Sequence, residues 1–447
     1  MRPLSTFSRI FVAALLSVVL SLPGAVQAQG IALGGVGPVN RAMAGAATAA
    51  PIDASGAIYM NPASISGLEC SQMDIGMELL LPTETLSSSV TIPGFGVIAG
   101  STDGEPGVTP VPTMALVHKC CDSPWTLGLG MFGIAGFSSN YPASSLGTTH
   151  NPVLFPQANT SIIGLPPGLG RINSQAQFYQ IIPTASYAIS DKLSVGFAPT
   201  ITMATFIADP LFLVAPDNAA GTGYNYPSGC GTRTNWGGGF QVGAYYITDS
   251  CWHFGFTFKS PQWFEPIRIN TQDELGFPRE ESIRFDYPMV LSAGAAYSGF
   301  EKWLLACDVR YFDYAHATGF GDPAAFDPYG RVTGLGWKSI TSVHLGAQYK
   351  VNEQLYVRLG YQYNENPIGS DISFFNVASP LIIQNVVSTG ASYYLTCNLI
   401  VSLAYVHGFE NEITGPIVLP GVGPVPGTSV SSKVSADSLI AGFTLRY

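Results

Sequence analysis

This chain of 447 residues is short of charge: Asp, Glu, Lys and Arg make up 11% of it, against roughly 25% in ordinary soluble domains. It has no Lys/Arg cluster, which argues against a phosphate-binding surface and so against nucleic acid as a partner. Beyond residue 28 no stretch approaches the ~18 uninterrupted apolar residues that a spanning helix needs; Ile181-Ile182-Pro183 breaks within a few positions. There is no Gly-x-Ser-x-Gly elbow, no His-Glu-x-x-His and no phosphate loop. The seven cysteines include no Cys-x-x-Cys, so a zinc or redox motif is not indicated. Six scattered histidines (118, 150, 253, 316, 344 and 407) form no motif, and His344 reads as a hydrogen-bonded wall residue. Neither enzyme, catalytic residue, metal nor cofactor is expected.

What is present points to a membrane. Hydrophobic residues reach 47%, aromatics 12%, and Gly counts 50. With spanning helices excluded, a closed barrel is the structure that satisfies every backbone group in lipid. Alternation supports it. In 342–350 the odd positions Val343, Leu345, Ala347 and Tyr349 are apolar, and the even ones His344, Gly346, Gln348 and Lys350 are polar or small. Leu355, Val357, Leu359, Tyr361 and Tyr363 repeat the pattern, as do Leu439, Ala441, Phe443, Leu445 and Tyr447. In a membrane barrel the apolar face meets lipid and the other lines a lumen. That lumen face reads as neutral: Ser, Gly, Gln, Tyr and Asn. Short turns at 120–123, 190–191, 248–250, 298–301, 351–353 and 396–398 alternate with longer loops at 92–106, 139–172, 209–232, 270–280, 317–335, 369–381 and 415–429. Short turns belong to the periplasmic side and long loops to the outside. Together they predict an all-β fold, a transmembrane antiparallel barrel of about 14 strands.

The N-terminus divides in two. Residues 1–28 read as a secretory signal peptide: Arg2 and Arg9, an apolar run, then Val26-Gln27-Ala28 at the cut. Its removal leaves 17 of the 19 Lys and Arg against 29 Asp and Glu, a net charge of −12. Residues 29–68 are dominated by small side chains and close on Asn61-Pro62-Ala63. This segment is too Gly/Ala-rich to build its own core and too apolar for a solvated tail. It therefore needs a cavity, and the barrel 69–447 supplies one, making 29–68 an N-terminal hatch.

The segment 37–63, with Arg41-Ala42, Gly45, Ala46, Asp53-Ala54 and Asn61-Pro62-Ala63, resembles the FadL-like outer-membrane transporters of long-chain fatty acids and aromatic hydrocarbons. So do Arg358-Leu359-Gly360-Tyr361, Asn366-Pro367-Ile368 and Gly390-Ala391-Ser392-Tyr393. So too do Trp125-Thr126-Leu127-Gly128-Leu129-Gly130 and Lys192-Leu193-Ser194-Val195-Gly196. The resemblance implies a 14-stranded, hatch-plugged barrel in the outer membrane of a Gram-negative-type bacterium. It implies passive uptake of hydrophobic small molecules and lateral release at a kinked third strand. There Gly130, Gly133 and Gly136 are the gate candidates, with Asn61, Pro62 and Ala63 on the hatch; glycine inside a strand often marks a bulge. The longest loop carries Leu154, Phe155, Ile162, Ile163 and Leu165, apolar residues suited to first capture of a ligand. The competing reading is a general diffusion porin or a structural outer-membrane protein. A monomer is expected, with outer-membrane lipid and the barrel-assembly machinery as partners; the C-terminal strand ending at Tyr447 suits the latter. Cys70, at the start of strand 1, is expected to pair with Cys120 or Cys121 in the oxidising export compartment.

Overall fold

The structure, a computed structural model, describes residues 30–94, 96–120, 122–142, 171–219, 221, 225–229, 233–273 and 275–447. The signal-peptide expectation, Cys121 and the loop candidates Leu154, Phe155, Ile162, Ile163 and Leu165 lie outside the described residues. Among the described residues no helix is long and apolar enough to cross a membrane.

Fourteen strands form the wall: β1 (Gln72–Ile92), β2 (Thr109–Lys119), β3 (Trp125–Tyr141), β4 (Ile172–Ala188), β5 (Leu193–Asp209), β6 (Asn235–Ile247) and β7 (Trp252–Lys259), then β8 (Val290–Phe300), β9 (Trp303–Phe312), β10 (Ile340–Lys350), β11 (Leu355–Asn364), β12 (Asn385–Tyr394), β13 (Leu399–Gly415) and β14 (Thr428–Arg446). Each pairs antiparallel with the next, and β1 closes the ring by pairing with both β2 (Gln72↔Val117) and β14 (Gln72↔Arg446). The barrel is closed, so no hydrogen-bonding edge is left to lipid. Period-two alternation runs as expected. Leu359, Leu403 and Leu439 point out and are more than half exposed, while Ser342, His344 and Ser438 face inward and are buried.

The stretch 92–106, expected as a loop, is in part a strand. Gly96–Asp103 folds back along the upper half of β1, with Thr85 opposite Asp103. β-branched Val90 and Thr91 on one arm and Val97 and Ile98 on the other favour pairing. Gly94 and Gly96, at φ +83° and +96°, make the tight reversal that other residues rarely adopt. The loop 270–280 likewise joins two arms of a hairpin, Ile267–Gln272 against Pro278–Ile283.

The lumen is filled by residues 30–68. Helix α1 (Gly37–Ala42) starts with Pro38 in its first turn, and α2 (Ala54–Met60) is capped by Asp53, whose carboxylate accepts from Gly56 N at 3.2 Å. A 3₁₀ turn, Ser64–Gly67, leads to the wall. Every residue of both helices is buried. Small side chains on both partners permit this. A Cβ on Gly255 of β7 would lie 2.0 Å from the Thr48 carbonyl oxygen, and one on Gly196 of β5 2.3 Å from the backbone of Pro62.

The expected bond from Cys70 is not formed: Cys70 and Cys120 are both free thiols. The register explains this. Gln72 lies opposite Val117, so the same ladder carried outward sets Cys70 opposite Lys119 and turns Cys120 to the other face. Ser71 Oγ instead accepts from Lys119 N at 3.0 Å.

Candidate functional site: the hatch, the wall and the window at strand 3

The hatch is held by charged and polar wall residues. Arg41 of α1 grips Glu78 of β1 through two bonds, Nε to Oε2 at 3.1 Å and Nη2 to Oε1 at 2.7 Å. Asp308 of β9 accepts from Ala47 N, Thr48 N and Thr48 Oγ1 at 2.7–3.0 Å. Asp74 of β1 accepts from Ser55 N and Oγ and from Thr444 Oγ1. Arg310 donates to the carbonyls of Gly34 and Gly45, and His344 bonds Ala44 O at 2.7 Å. Burial, with the Asp74 charge adding to it, holds the Asp53 carboxyl well above the usual carboxylate range.

These residues correct the expectation of a neutral lumen. Asp74, Glu78, Lys259, Asp308, Arg310 and Arg358 all face inward and are buried. They do not line an aqueous constriction; all but Lys259 are tied to the hatch or the wall. The signal was in the sequence. Asp74 and Glu78 sit on the inward register of β1, and Asp308 and Arg310 two apart on β9, in a chain with few charges to spend.

Asn61 closes α2. Its Nδ2 donates to Thr48 O at 2.9 Å and to Ala244 O of the wall at 3.0 Å, and its Oδ1 accepts from Ala63 N at 3.0 Å. Pro62 packs by Gly196, and Ala63 O accepts from Ser186 Oγ at 3.0 Å. The Asn61-Pro62-Ala63 motif thus pins the hatch exit to β4, β5 and β6.

At β3 the wall opens. Its pairing with β2 ends at Thr113↔Phe132, although β2 runs on to Thr109 and β3 to Tyr141. Strand contact resumes higher up, where Glu105 N donates to Asn140 O at 2.7 Å. Between lies a window, just above the outward apolar run Leu127, Leu129 and Met131. A bulge between Gly133 and Ala135 bends β3 here against β4. The hatch closes the window from inside. Leu33 N donates to Ile134 O at 3.0 Å and Gly136 N to Ile31 O at 3.2 Å, with Ala32 opposite Ala135. Ile31–Leu33 therefore takes the edge of β3 that β2 leaves free.

The three glycine candidates fall in different places. Gly130 lies below the window, paired on both sides with Ala115 and Ile182 and packed under Ile58 of α2. Gly133 and Gly136 flank the bulge. A Cβ on Gly133 would meet Val111 of β2 across the window at 2.5 Å, and one on Gly136 the backbone oxygen of Ala176 at 2.7 Å.

Behind the window is a cavity of about 180 Å³, bounded by the hatch strand 31–34, Val111, Gly133, Phe137, Leu381 and Val434. A smaller one of about 70 Å³ lies among Phe206, Phe212, Phe285, Phe320 and Phe375 under the external loops. Ile31, Phe137, Ala176 and Phe178 line both. Among the described residues, no group of His, Cys, Asp and Glu is arranged to hold a metal ion.

The sequence matches the family described as outer membrane protein transport protein (OMPP1/FadL/TodX) over residues 17–152 and 171–447. The chain belongs to this family. Its members are transport proteins rather than enzymes, and the chain is an outer-membrane β-barrel. Three solved structures share the fold. The Pseudomonas putida toluene transporter TodX is 16% identical, with a TM-score of 0.67 over 93% of this chain and 99% of that one. A Pseudomonas aeruginosa FadL homologue is 14% identical, with a TM-score of 0.68 over the same shares. The Ralstonia pickettii toluene transporter TbuX is 16% identical, with a TM-score of 0.63, again over 93% and 99%. At these identities the likeness is one of fold alone. No curated protein matches the chain.

Proposed function

We propose that this outer-membrane transport protein takes up hydrophobic small molecules, fatty acids or aromatic and aliphatic hydrocarbons, by passive diffusion and releases them sideways through the window at β3. The observation that carries this reading is the window itself. An apolar cavity lies directly behind it, and three residues of the hatch, rather than a neighbouring strand, close it. A ligand entering among the external phenylalanines reaches that cavity past Ile31 and Phe137. Leu154, Phe155, Ile162, Ile163 and Leu165 contribute to first capture. Movement of Ile31–Leu33 then opens a path to the outer leaflet without opening an aqueous channel. The chain works as a monomer, inserted by the barrel-assembly machinery.

The porin alternative predicts ion flow. Planar-bilayer conductance of the intact protein is expected to be near zero, and deletion of 29–60 is expected to raise it while the barrel stays folded. Uptake of a hydrophobic substrate into proteoliposomes, lost when the window is locked shut, tests lateral release. High conductance of the intact chain would overturn the reading.

A further inference from the structure

β1 and β3 are not neighbours in the ring; β2 stands between them. Below the window β2 carries the ladder to β3, which ends at Thr113↔Phe132. Above the window β2 is absent, and the two strands are joined directly. The segment 104–106 crosses from one to the other: Gly104 N donates to Glu84 O of β1 at 2.8 Å, and Asn140 Nδ2 of β3 donates to Glu105 O at 3.0 Å.

Beneath that crossing a single side chain makes the same span. Glu84 stands on the inward register of β1 and is 3% exposed. Its Oε1 accepts from Asn140 N at 2.9 Å, and its Oε2 accepts from the buried Ser139 Oγ at 2.8 Å. A buried carboxylate is costly unless it is hydrogen-bonded, and bonds to an ionised acceptor are the strong kind. Gly104 makes room for it, since a Cβ there would lie 2.3 Å from Glu84 Cγ. Glu84 and Ser139 both line the apolar cavity behind the window. Two residues further up each strand, Leu86 and Tyr141 belong to a separate buried cluster with Ile172 and Val377. The carboxylate therefore marks the top of the opening, with the cavity below it and a packed roof above.

The rims of the window differ in what holds them. The lower one is a backbone ladder, and the inner face is the hatch strand. The upper one is a short crossing segment braced by one side chain. We propose that Glu84 is a positioning residue that fixes the height of the window and so the largest cross-section of molecule that passes. The assignment rests on the transport reading above and adds a size limit to its path. Removing the side chain unties β1 from Ser139 and Asn140 and empties the space at the top of the cavity.

Uptake of toluene and of the much broader pyrene is measured in cells producing the full-length protein, against cells without it. The ratio of pyrene to toluene uptake is expected to rise about tenfold in Glu84→Ala, the scale on which the fit of an apolar site discriminates. Glu84→Gln is expected to keep the parental ratio. Its carbonyl still accepts from Asn140 N, and its amide donates to the Ser139 hydroxyl, which can accept as well as donate. A ratio unchanged in Glu84→Ala overturns the proposal, and so does one raised equally by Ala and Gln. Should Glu84→Ala lose the folded band on unboiled gels, Ser139→Ala decides: it leaves the carboxylate and the Asn140 bond in place, a raised ratio supports the brace, and the parental ratio overturns it. Parent protein that carries toluene while no variant changes the ratio refutes this assignment and leaves the transport reading standing; parent protein that carries neither compound refutes both.

Discussion

Leu33 of the hatch donates its backbone N–H to the carbonyl of Ile134 on β3 at 3.0 Å, across a place where β2 has stopped pairing. In a barrel wall such a bond ordinarily comes from the neighbouring strand. Here it comes from the plug, so moving the plug and opening the wall are one event. Ala32 and Ala135 form the non-hydrogen-bonded pair between the two bonds, where Cα atoms sit about 4.5 Å apart. That lies within the range a disulfide spans, ~4.4–6.8 Å. Ala32→Cys with Ala135→Cys is expected to cross-link in the oxidising compartment and to stop uptake of hydrophobic substrate, with recovery on reduction. Equal uptake in oxidised and reduced protein would sink the coupling of hatch to window.

The two glycines beside the bulge separate a gating effect from a folding effect. At Gly133 a larger side chain meets Val111, a side chain that can give way, and fills the window from the outer wall. At Gly136 it meets the Ala176 backbone oxygen, which cannot. Gly133→Val is expected to lower uptake with normal heat-modifiable migration on gels; Gly136→Val is expected to lower both uptake and the temperature at which the folded band is lost. Full uptake in Gly133→Val would count against passage at this place.

Much of the fold was legible because it rests on local pattern. Leu355, Val357 and Leu359 alternate with Tyr356, Arg358 and Gly360 whatever the rest of the chain does, and Ser190-Asp191 ends one strand and starts the next. The small residues of 30–68 likewise announced a segment that must be enclosed. What was not legible depends on pairing over long separations. Ile31-Ala32-Leu33 is too short to show a period, and its partner lies about a hundred residues on. The returning arm Gly96–Asp103 was read as part of a loop because Pro93-Gly94 signals a turn, without telling that the chain beyond it pairs with β1. The lumenal charges were missed because the strands read most closely, β10, β11 and β14, carry few of them, although Arg358 already stood on the inward register.

Arg41 and Glu78 illustrate what those charges do. Both are buried and bonded twice to each other. Glu78→Gln leaves the guanidinium without its counter-charge inside the barrel, a loss of about 3–5 kcal/mol for a buried pair broken on one side. The cost falls on the seating of α1 and not on the ladder of β1, whose backbone pairs are untouched. Glu78→Gln is therefore expected to raise ion conductance in planar bilayers while the barrel band survives. Replacing both partners by apolar residues, Arg41→Met with Glu78→Leu, should bring conductance most of the way back. Equal leak in single and double variants would show that the charge pair is not what seats the hatch.

The hatch exit offers a sharper test, because Asn61 uses both ends of its amide. Its Nδ2 donates to the hatch at Thr48 O and to the wall at Ala244 O, while its Oδ1 accepts from Ala63 N. Asn61→Ala removes all three bonds, and each buried group left without a partner costs about 1–3 kcal/mol. Asn61→Asp keeps the acceptor for Ala63 N. It also turns a second oxygen, ionised and fully buried, toward two carbonyl oxygens, which adds repulsion to the lost donors. The shapes are nearly the same, so packing alone predicts that Asp is the milder change. Hydrogen bonding predicts the reverse, an order of stability of Asn, then Ala, then Asp, read as the temperature at which the folded band disappears on unboiled gels. The gap between Ala and Asp should narrow at acid pH, where the carboxyl is protonated and can donate to one carbonyl. An Asp variant as stable as the parent at neutral pH would mean that the amide's two donors are not what fastens the hatch to β6.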